Sequence, residues 1–300
     1  MVRAGLAPAV RGAVVQAVEV FDPRALKRHP AERGAFASVL NEVSFATPQR
    51  RGKFLWLPLQ GGDDALLAHL GMSGQMLLRS GDAPDDRFVR VRIWLDHPER
   101  GELRMDFADQ RLFGSLAIDR LVRTPDGYPG GFGSDDPRVP SQAAHIARDP
   151  LDPGFDDEAF LVRARSRNSA IKRVLLDQTV ISGVGNIYAD EALWAARVHP
   201  ELPARDLSLR RAKTLLEEVR SVFRKALLEG GTSFDEQYVN VNGEAGYFAH
   251  SLNAYGKQGK ACPRCGALVK RESFMNRGSH FCPRCQRVPR SGRGSTGIAQ

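Results

Sequence analysis

The four cysteines of this chain constrain its fold more than any other feature. They form two C-x2-C pairs separated by sixteen residues, namely Cys262 with Cys265 and Cys282 with Cys285. Each pair can direct two thiolates at one point, and two such turns complete a tetrahedron around Zn2+. The spacing predicts a zinc-ribbon hairpin with one structural zinc and no open coordination position. Two disulfides are the alternative. They are disfavoured if the protein is cytoplasmic, because that compartment keeps thiols reduced.

Positive charge is concentrated near the same cysteines. The chain carries 43 Lys and Arg against 35 Asp and Glu, a formal net charge of +8. Residues 255–300 hold ten of the basic side chains and one acidic side chain, so the other residues are close to neutral. Such a field favours a polyanion as partner, because each phosphate that Lys or Arg neutralises releases counterions. A basic face that only keeps the protein in solution is the alternative.

Membrane insertion and secretion find no support in the sequence. The longest conspicuous apolar run, residues 54–59, is far shorter than the ~18 residues of a membrane span, and Pro58 interrupts it. The N-terminus lacks the apolar core of a signal peptide. We therefore expect a cytoplasmic protein that binds no membrane, and a length of 300 residues predicts two domains.

Residue patterning indicates an α+β chain. Short β-branched and aromatic runs make residues 1–123 mostly β, and the alternation in 88–95 predicts a strand buried on one face only. Residues 22–41 are the exception and are predicted to be a helix. A Pro-, Gly- and Asp-rich segment, 124–153, is predicted to be a linker, and helical periodicity follows in 154–232.

Two helices after the linker have definable ends. One is predicted over about residues 187–198, with Asn186 as its N-cap. The other begins after Ser208 and ends at Gly230-Gly231, and its apolar stripe is predicted to be core. The members of that stripe are Leu209, Ala212, Leu216, Val219, Phe223, Ala226 and Leu227. Residues 287–300 are polar and Gly-rich and are predicted to be a disordered tail.

Several loops carry residues that suit a nucleic acid. Gly183-Val184-Gly185-Asn186 could grip a phosphate at a helix N-terminus, although a helical turn containing Gly is often plain packing. Lys53 enters an apolar strand and could meet a phosphate or simply extend to solvent. Two loops, HLGMSG at 69–74 and DQRLFG at 109–114, place Met, Arg and Phe among glycines. Exposed side chains of that kind suit wedging between base pairs.

Taken in order, these segments resemble the formamidopyrimidine-DNA glycosylase branch of the family that also holds endonuclease VIII. The matching segments are QRRGKFL at 49–55, the two loops, SAIKRVLLDQTVISGVGNIYADEALWAARVHP at 169–200, GYFAHSLNAYGKQGKAC at 246–262 and the cysteine pairs. The resemblance implies an N-terminal β-sandwich, a helix-two-turn-helix domain at 154–232, a lesion loop and connector at 233–255 and a zinc finger at 256–286.

The resemblance also implies an activity. Such enzymes flip oxidised purines, chiefly 8-oxoguanine and formamidopyrimidines, out of double-stranded DNA, cleave the glycosidic bond and nick the strand by β,δ-elimination. They also act at abasic sites. A bifunctional glycosylase and lyase, working as a monomer in base-excision repair, is therefore expected.

Site residues follow from the same resemblance. Lys53 and Arg277 match the two residues assigned to elimination. The DNA contacts expected by position are Met72, Arg111, Phe113, Arg167, Lys172, Asn186, Tyr255 and Arg277. Met72, Arg111 and Phe113 fill the gap left by the flipped base, with Arg111 facing the orphaned cytosine, while Asn186 and Arg277 clamp phosphates.

One departure from the family pattern concerns the N-terminus. The family's mature chain begins Pro-Glu-Leu-Pro-Glu, whose proline amine attacks the sugar and whose first glutamate transfers protons. This sequence opens Met-Val-Arg-Ala-Gly, which resembles a segment inside that pattern. Either the true start lies upstream, which we favour, or the chain is a relative that binds lesions without cutting. The polypeptide beginning at Met1 is expected to give no borohydride-trapped adduct.

Overall fold

The computed structural model describes residues 1–231 and 248–287. The predicted lesion loop and connector is described only from residue 248, and the predicted tail lies outside the described residues from 288 onward. The described residues group into two compact units. The first comprises residues 1–155 with 225–231 and 248–250, and the second comprises 156–224 with 251–287.

The first unit contains nine strands and two short helices among its described residues. They are α1 (Val2–Val10), β1 (Val14–Val20), α2 (Phe36–Leu40), β2 (Gln49–Arg51), β3 (Phe54–Pro58), β4 (Asp64–His69), β5 (Gly74–Ser80), β6 (Val89–His97), β7 (Gly101–Asp109), β8 (Ser115–Arg123) and β9 (Arg138–Pro140). One antiparallel sheet has the order β1-β6-β7-β5 and the other has the order β2-β3-β4-β8-β9.

Both sheets contribute side chains to one apolar core, so the unit is a β-sandwich. Val91, Ile93 and Phe107 come from the first sheet, while Leu57 and Leu66 come from the second, and all are almost fully buried. Alternation places these residues on one face of each strand and leaves the other face for different partners. The mostly β expectation for the first 123 residues is therefore confirmed.

Strand β3 is buried on both faces, which explains its unbroken apolar sequence. Leu55 and Leu57 face the sandwich core, whereas Phe54 and Trp56 pack in a second cluster with Val139. Ala143 and Ile146 complete this second cluster. The segment 124–153, expected to be a linker, thus packs on the sandwich and adds strand β9 to its edge.

The outer face of β6, which the alternation predicted to be exposed, is partly buried in the structure. Arg92 is buried there because its guanidinium pairs with Asp106 at 2.9 Å and with Asp85 at 2.7 Å. Arg104 joins the same network through Asp85 and Asp106. A buried guanidinium is tolerated only with such partners. Asp106 lies on β7 and Asp85 in the β5–β6 loop, so the alternation within β6 alone does not reveal them.

The predicted helix over residues 22–41 is wrong as a continuous element. It consists of a 3-10 turn at Pro23–Leu26, a second at Ala31–Arg33 and helix α2. Pro30 disfavours helical geometry at His29, and Gly34 adopts φ 83°, which ends the second turn.

The second unit is helical and carries the hairpin. Its elements are α3 (Asp157–Arg165), α4 (Ile171–Leu176), α5 (Asn186–Ala195), α6 (Leu209–Leu228), β10 (Lys270–Phe274) and β11 (Arg277–Phe281). Strands β10 and β11 pair antiparallel in the register Lys270↔Phe281 to Phe274↔Arg277, as expected for a ribbon hairpin.

Helix α6 begins and ends where its sequence predicts. The Arg211 N–H lies 3.4 Å from the Ser208 hydroxyl, and Gly230 adopts φ 77° at the C-terminal end. The stripe is buried except at its two ends, since Leu209 and Leu227 are about half exposed and are not core residues. In the described part of the chain, no helix is long and apolar enough to cross a bilayer.

Candidate nucleic-acid interface

Two loops of the first unit come together through a close backbone approach. The β4–β5 loop contains Met72, and the β7–β8 loop contains Arg111 and Phe113. Gly71 adopts φ 64°, and a Cβ at this position would lie 2.7 Å from the carbonyl carbon of Phe113. Glycine is therefore required there, both for the left-handed backbone and for the contact between the loops.

The Asp109 carboxylate ties these loops to each other. It is fully buried and accepts hydrogen bonds from the Ser73 hydroxyl, from the Arg111 N–H at 3.1 Å and from the Gly114 N–H at 2.7 Å. Its partners lie on both loops, so one anion fixes their relative position. Asp109 was not singled out from the sequence, because its role depends on contacts between two loops that are separated in sequence.

The same loops expose the three side chains predicted to act as a wedge. Met72 is 66% exposed and Phe113 is 51% exposed, far more than large apolar side chains usually are, and Arg111 is exposed beside them. Long and stiff side chains held on a rigid base can enter a base stack. The structure therefore brings these predicted residues together on one side of the sandwich.

Lys53 lies in the two-residue loop between β2 and β3, where Gly52 adopts φ 55°. Its side chain is exposed, as the predicted DNA contact requires. Burial, followed by the positive charges of Arg28, Lys53 and Lys27, lowers the pKa of His69 to about 4. These three cations therefore create a positive region around His69.

In the second unit, the four predicted cysteines converge. Their Sγ atoms all lie within 4.8 Å of one another, and the set contains no carboxylate or imidazole. Four thiolates at this spacing fit one tetrahedral zinc and leave no position for a substrate. The Trp194 indole N–H lies 3.4 Å from Cys262 Sγ, and the Arg264 guanidinium stacks 4.1 Å from the Trp194 ring, so α5 contacts the cysteine turns directly.

Helix α5 holds the hairpin mainly through Asp190. This carboxylate accepts a hydrogen bond from the His280 backbone N–H at 2.8 Å, and the His280 ring nitrogen Nδ1 lies 3.2 Å away. Its other oxygen lies 2.6 Å from Lys172 Nζ. Lys172 is fully buried. Burial lowers the pKa of its ammonium, although the neighbouring Asp190 carboxylate acts to raise it. The expected direct DNA contact of Lys172 is therefore corrected to a structural ion pair.

Asn186 and Lys172 meet at the hairpin residue that follows Arg277. Asn186 Nδ2 donates to the carbonyl of Gly278 at 3.0 Å, and Lys172 Nζ lies 3.3 Å from the same oxygen. Asn186 is the first residue of α5 and Gly185 is its N-cap, so the predicted N-cap role of Asn186 is wrong. Arg277 itself is exposed at the start of β11.

Glu191 performs a similar task for the segment before the first cysteine. Its two oxygens accept from the backbone N–H groups of Asn253 at 2.9 Å and of Ala254 and Tyr255 at 2.8 Å. The Tyr255 ring is half-buried against His280, with the centroids 4.8 Å apart. The sequence did contain a signal for Asp190 and Glu191, since both lie in the middle of an otherwise largely apolar helix. A carboxylate buried there needs hydrogen-bond partners, which points to a structural role.

A surface pocket of about 280 Å3 lies on the same unit. Arg167, Arg173 and Arg277 line it together with Met275 at the hairpin tip. Arg167 and Arg277, two predicted DNA contacts that are far apart in sequence, are therefore neighbours. Three guanidiniums against the one carboxylate of Asp177 leave the lining with a positive formal charge, which favours an anion.

Comparison with known proteins places these features in a family. The sequence model of the formamidopyrimidine-DNA glycosylase N-terminal domain matches residues 1–116, that of the formamidopyrimidine-DNA glycosylase H2TH domain matches 146–237, and that of the zinc finger found in FPG and IleRS matches 259–288. The formamidopyrimidine-DNA glycosylase of Leifsonia xyli subsp. xyli is 61% identical over 96% of this chain and 97% of its own. The chain belongs to the formamidopyrimidine-DNA glycosylase family.

Other relatives and solved structures agree with this family. The formamidopyrimidine-DNA glycosylase of a Nocardioides species is 52% identical over 99% of this chain and 95% of its own. A Lactococcus lactis FPG mutant in complex with Fapy-dG-containing DNA has a TM-score of 0.79 and 29% identity, covering 96% of this chain and 97% of that one. The Lactococcus lactis Fpg bound to DNA containing an abasic site has a TM-score of 0.78 and 28% identity, over 96% and 97% of the two chains.

These matches confirm the family, the sandwich, the helix-two-turn-helix domain and the zinc finger that the sequence motifs predicted. The individual roles of the predicted site residues stay predictions, apart from the direct DNA contact of Lys172, which its burial contradicts.

Proposed function

We propose that this chain is a base-excision repair DNA glycosylase that removes 8-oxoguanine and formamidopyrimidines from duplex DNA and then cleaves the strand as a lyase. One observation carries the proposal: a buried Asp109 fixes two loops that expose Met72, Arg111 and Phe113 side by side. An enzyme that extrudes a base must fill the space left in the stack, and these side chains have the required length and stiffness.

The backbone of the DNA would be held by the cationic groups of both units. On the first unit, Lys53 is the predicted contact within a positive region that also contains Arg28. On the second, Arg167 and Arg277 share one pocket. Phosphate contacts of this kind supply affinity and register without reading sequence. We keep Lys53 and Arg277 as the residues proposed to act in elimination.

The four thiolates would hold one structural zinc. When bound, the metal cross-links the two cysteine turns and supplies folding energy to a hairpin with little core of its own. Asn186 contacts Gly278 near the hairpin tip and Asp190 contacts His280 nearer the cysteines, so Arg277 projects from a strand that is bound to α5. The zinc ligands thus support the DNA-binding residues rather than the reaction.

The identity to proteins named formamidopyrimidine-DNA glycosylase supports an enzyme over the binding-only alternative. A structural neighbour bound to abasic-site DNA supports double-stranded damaged DNA as the partner. We further propose that the protein acts as a monomer in the bacterial cytoplasm, in keeping with the bacterial origin of its relatives.

The test compares lesion binding and strand cleavage. Binding is measured by fluorescence anisotropy on duplexes that carry a tetrahydrofuran abasic analogue or no damage, and cleavage on an end-labelled duplex with 8-oxoguanine opposite cytosine. Arg111→Ala should weaken binding opposite cytosine about tenfold, the value of a lost specific base contact. Arg100→Ala, at an exposed arginine of the β6–β7 turn, serves as the matched control and should bind like the wild type.

Equal affinity of the wild type for damaged and undamaged duplex would overturn the proposal. Binding without cleavage would favour the binding-only alternative instead. The N-terminus of the native protein, determined by mass spectrometry, identifies the polypeptide on which cleavage has to be measured.

A further inference from the structure

A lysine outside the predicted site holds the backbone of the wedge. Lys27 Nζ donates a hydrogen bond of 2.6 Å to the carbonyl of Leu112, a residue 85 positions away in sequence. Leu112 lies between Arg111 and Phe113, the two wedge residues of the β7–β8 loop. Lys27 therefore contacts the loop at its centre.

The Leu112 backbone needs such support. Its φ of 55° lies in the left-handed region, which is strained for a residue with a branched side chain. In this conformation the Leu112 carbonyl accepts the hydrogen bond from Lys27. A strained backbone of this type persists only where surrounding contacts fix it.

Packing brings the lysine to this carbonyl. Leu26 and Leu112 both pack against the sandwich core as partly buried side chains. The 3-10 turn Pro23–Leu26 ends at Lys27, which is its C-cap residue. Both residues thus pack on the same core, and Lys27, which follows Leu26, reaches the Leu112 carbonyl.

Charge at this point is complementary on the two sides of the loop. Asp109 accepts from the N–H groups of Arg111 and Gly114, while Lys27 donates to the C=O of Leu112. Within residues 1–231 and 248–287, no carboxylate lies within 4.0 Å of Lys27 Nζ, so its ammonium is directed at the loop and not at an ion-pair partner. An anion and a cation therefore both bind the backbone of the same short loop.

We propose that Lys27 is a positioning residue that sets the conformation of the Arg111–Phe113 wedge and thereby the preference for the base opposite the lesion. The inference rests on the proposed function, because it assigns Arg111 to the orphaned base. Lys27 acts through the Leu112 carbonyl, and a direct contact with a DNA phosphate is a separate role that the test distinguishes.

The test uses Lys27→Met, which keeps the aliphatic length and removes the donor, and Lys27→Arg, which keeps a cationic donor. Lys213→Met, at an exposed lysine of α6, is the matched control. Dissociation constants are measured by anisotropy for tetrahydrofuran duplexes with cytosine or adenine opposite the analogue. Each measurement is repeated over a range of salt concentrations, and the urea midpoint of every variant checks its folding.

The expected result is a selective loss of discrimination. In Lys27→Met the ratio of the two dissociation constants should fall at least about threefold toward that of Arg111→Ala, since a hydrogen bond from a charged donor is lost. Lys27→Arg should restore most of the ratio, and Lys213→Met should leave it unchanged. The dependence of log Kd on log salt should keep the wild-type slope in Lys27→Met.

Two results would overturn the inference. One is an unchanged cytosine-to-adenine ratio in Lys27→Met. The other is a salt slope reduced by about one with the ratio preserved, which is the signature of a lost phosphate contact. A wild-type protein that does not distinguish the analogue from undamaged DNA would contradict the proposed function itself, so the two failures are separable.

Discussion

The backbone N–H of His280 donates a 2.8 Å hydrogen bond to the carboxylate of Asp190, so the second strand of the zinc hairpin is bound to the middle of helix α5. The same carboxylate neutralises the fully buried Lys172. A zinc ion bound by the four thiolates would hold the hairpin in addition to this contact.

Asp190→Ala is expected to destabilise the protein strongly. Removing one partner of a buried ion pair leaves an uncompensated charge on Lys172 and costs about 3–5 kcal/mol. The free energy of unfolding in urea measures the loss. Asp206→Ala is the control, because Asp206 contacts Arg205 only at 3.7 Å and both side chains are more than half exposed. Equal midpoints for the two variants would contradict the role of the pair.

Combining Asp190→Leu with Lys172→Met tests whether the cost of Asp190→Ala comes from the unpaired charge on Lys172. The double variant removes both charges, so it should recover part of the stability that Asp190→Ala loses. Recovery should be incomplete because the His280 N–H would still lack its acceptor. A double variant less stable than Asp190→Ala would show that the charge on Lys172 is not what the carboxylate balances.

Some of the fold could be predicted from local sequence and some could not. Strand β3 was predictable from its apolar run, but its burial on both faces depends on Val139, Ala143 and Ile146 from a segment rich in Pro and Gly. Composition made that segment resemble a linker. Periodicity likewise suggested one helix over 22–41, because it does not weigh the backbone limits imposed by Pro30 and Gly34.

The candidate site divides in the same way. Residues predicted to face the DNA, such as Arg111 and Arg277, belong to motifs and were found from the resemblance. Glu191 and Lys27 contact backbone groups far away in sequence, and Asp109 joins its own loop to Ser73 of another loop. Any residue type can supply a backbone partner, so the sequence of the partner segment gives no sign of such a contact. These contacts are found only from the structure.

Cys282→Ser is expected to release the metal. A serine hydroxyl is a poor zinc ligand, and the loss of one of four thiolates removes much of the energy that folds the hairpin. Zinc content per chain, measured by atomic absorption after dialysis, should fall from about one to near zero. Binding to the tetrahydrofuran duplex should disappear with it. Ser273→Ala, at an exposed position on β10, is the control and should retain both the zinc and the binding to the duplex. Tight binding by zinc-free Cys282→Ser would show that the hairpin is dispensable for DNA binding.

Asp109→Asn should separate wedge geometry from the general affinity for DNA. An amide keeps the size of the side chain but has only one acceptor oxygen, so either the Arg111 or the Gly114 N–H loses its acceptor. A hydrogen bond to a charged acceptor contributes about 1.5–3 kcal/mol. Affinity for the tetrahydrofuran duplex should fall about tenfold, whereas affinity for undamaged duplex should not change. Asp96→Asn, at an exposed position on β6, is the control. Equal losses on both duplexes would place the effect outside the wedge.

The stability of the first unit should decrease as the pH falls from about 6.5 toward 4, and His69 should account for part of this decrease. Burial and the neighbouring cations lower the pKa of His69 from its ordinary 6.5 to about 4 in the folded protein. Between these values the unfolded chain binds a proton that the folded chain excludes, so the free energy of unfolding declines with falling pH. Urea unfolding at several pH values should give a shallower slope in His69→Gln than in the wild type. His145→Gln, at an exposed histidine, should keep the wild-type slope, and parallel slopes for all three proteins would refute the assignment.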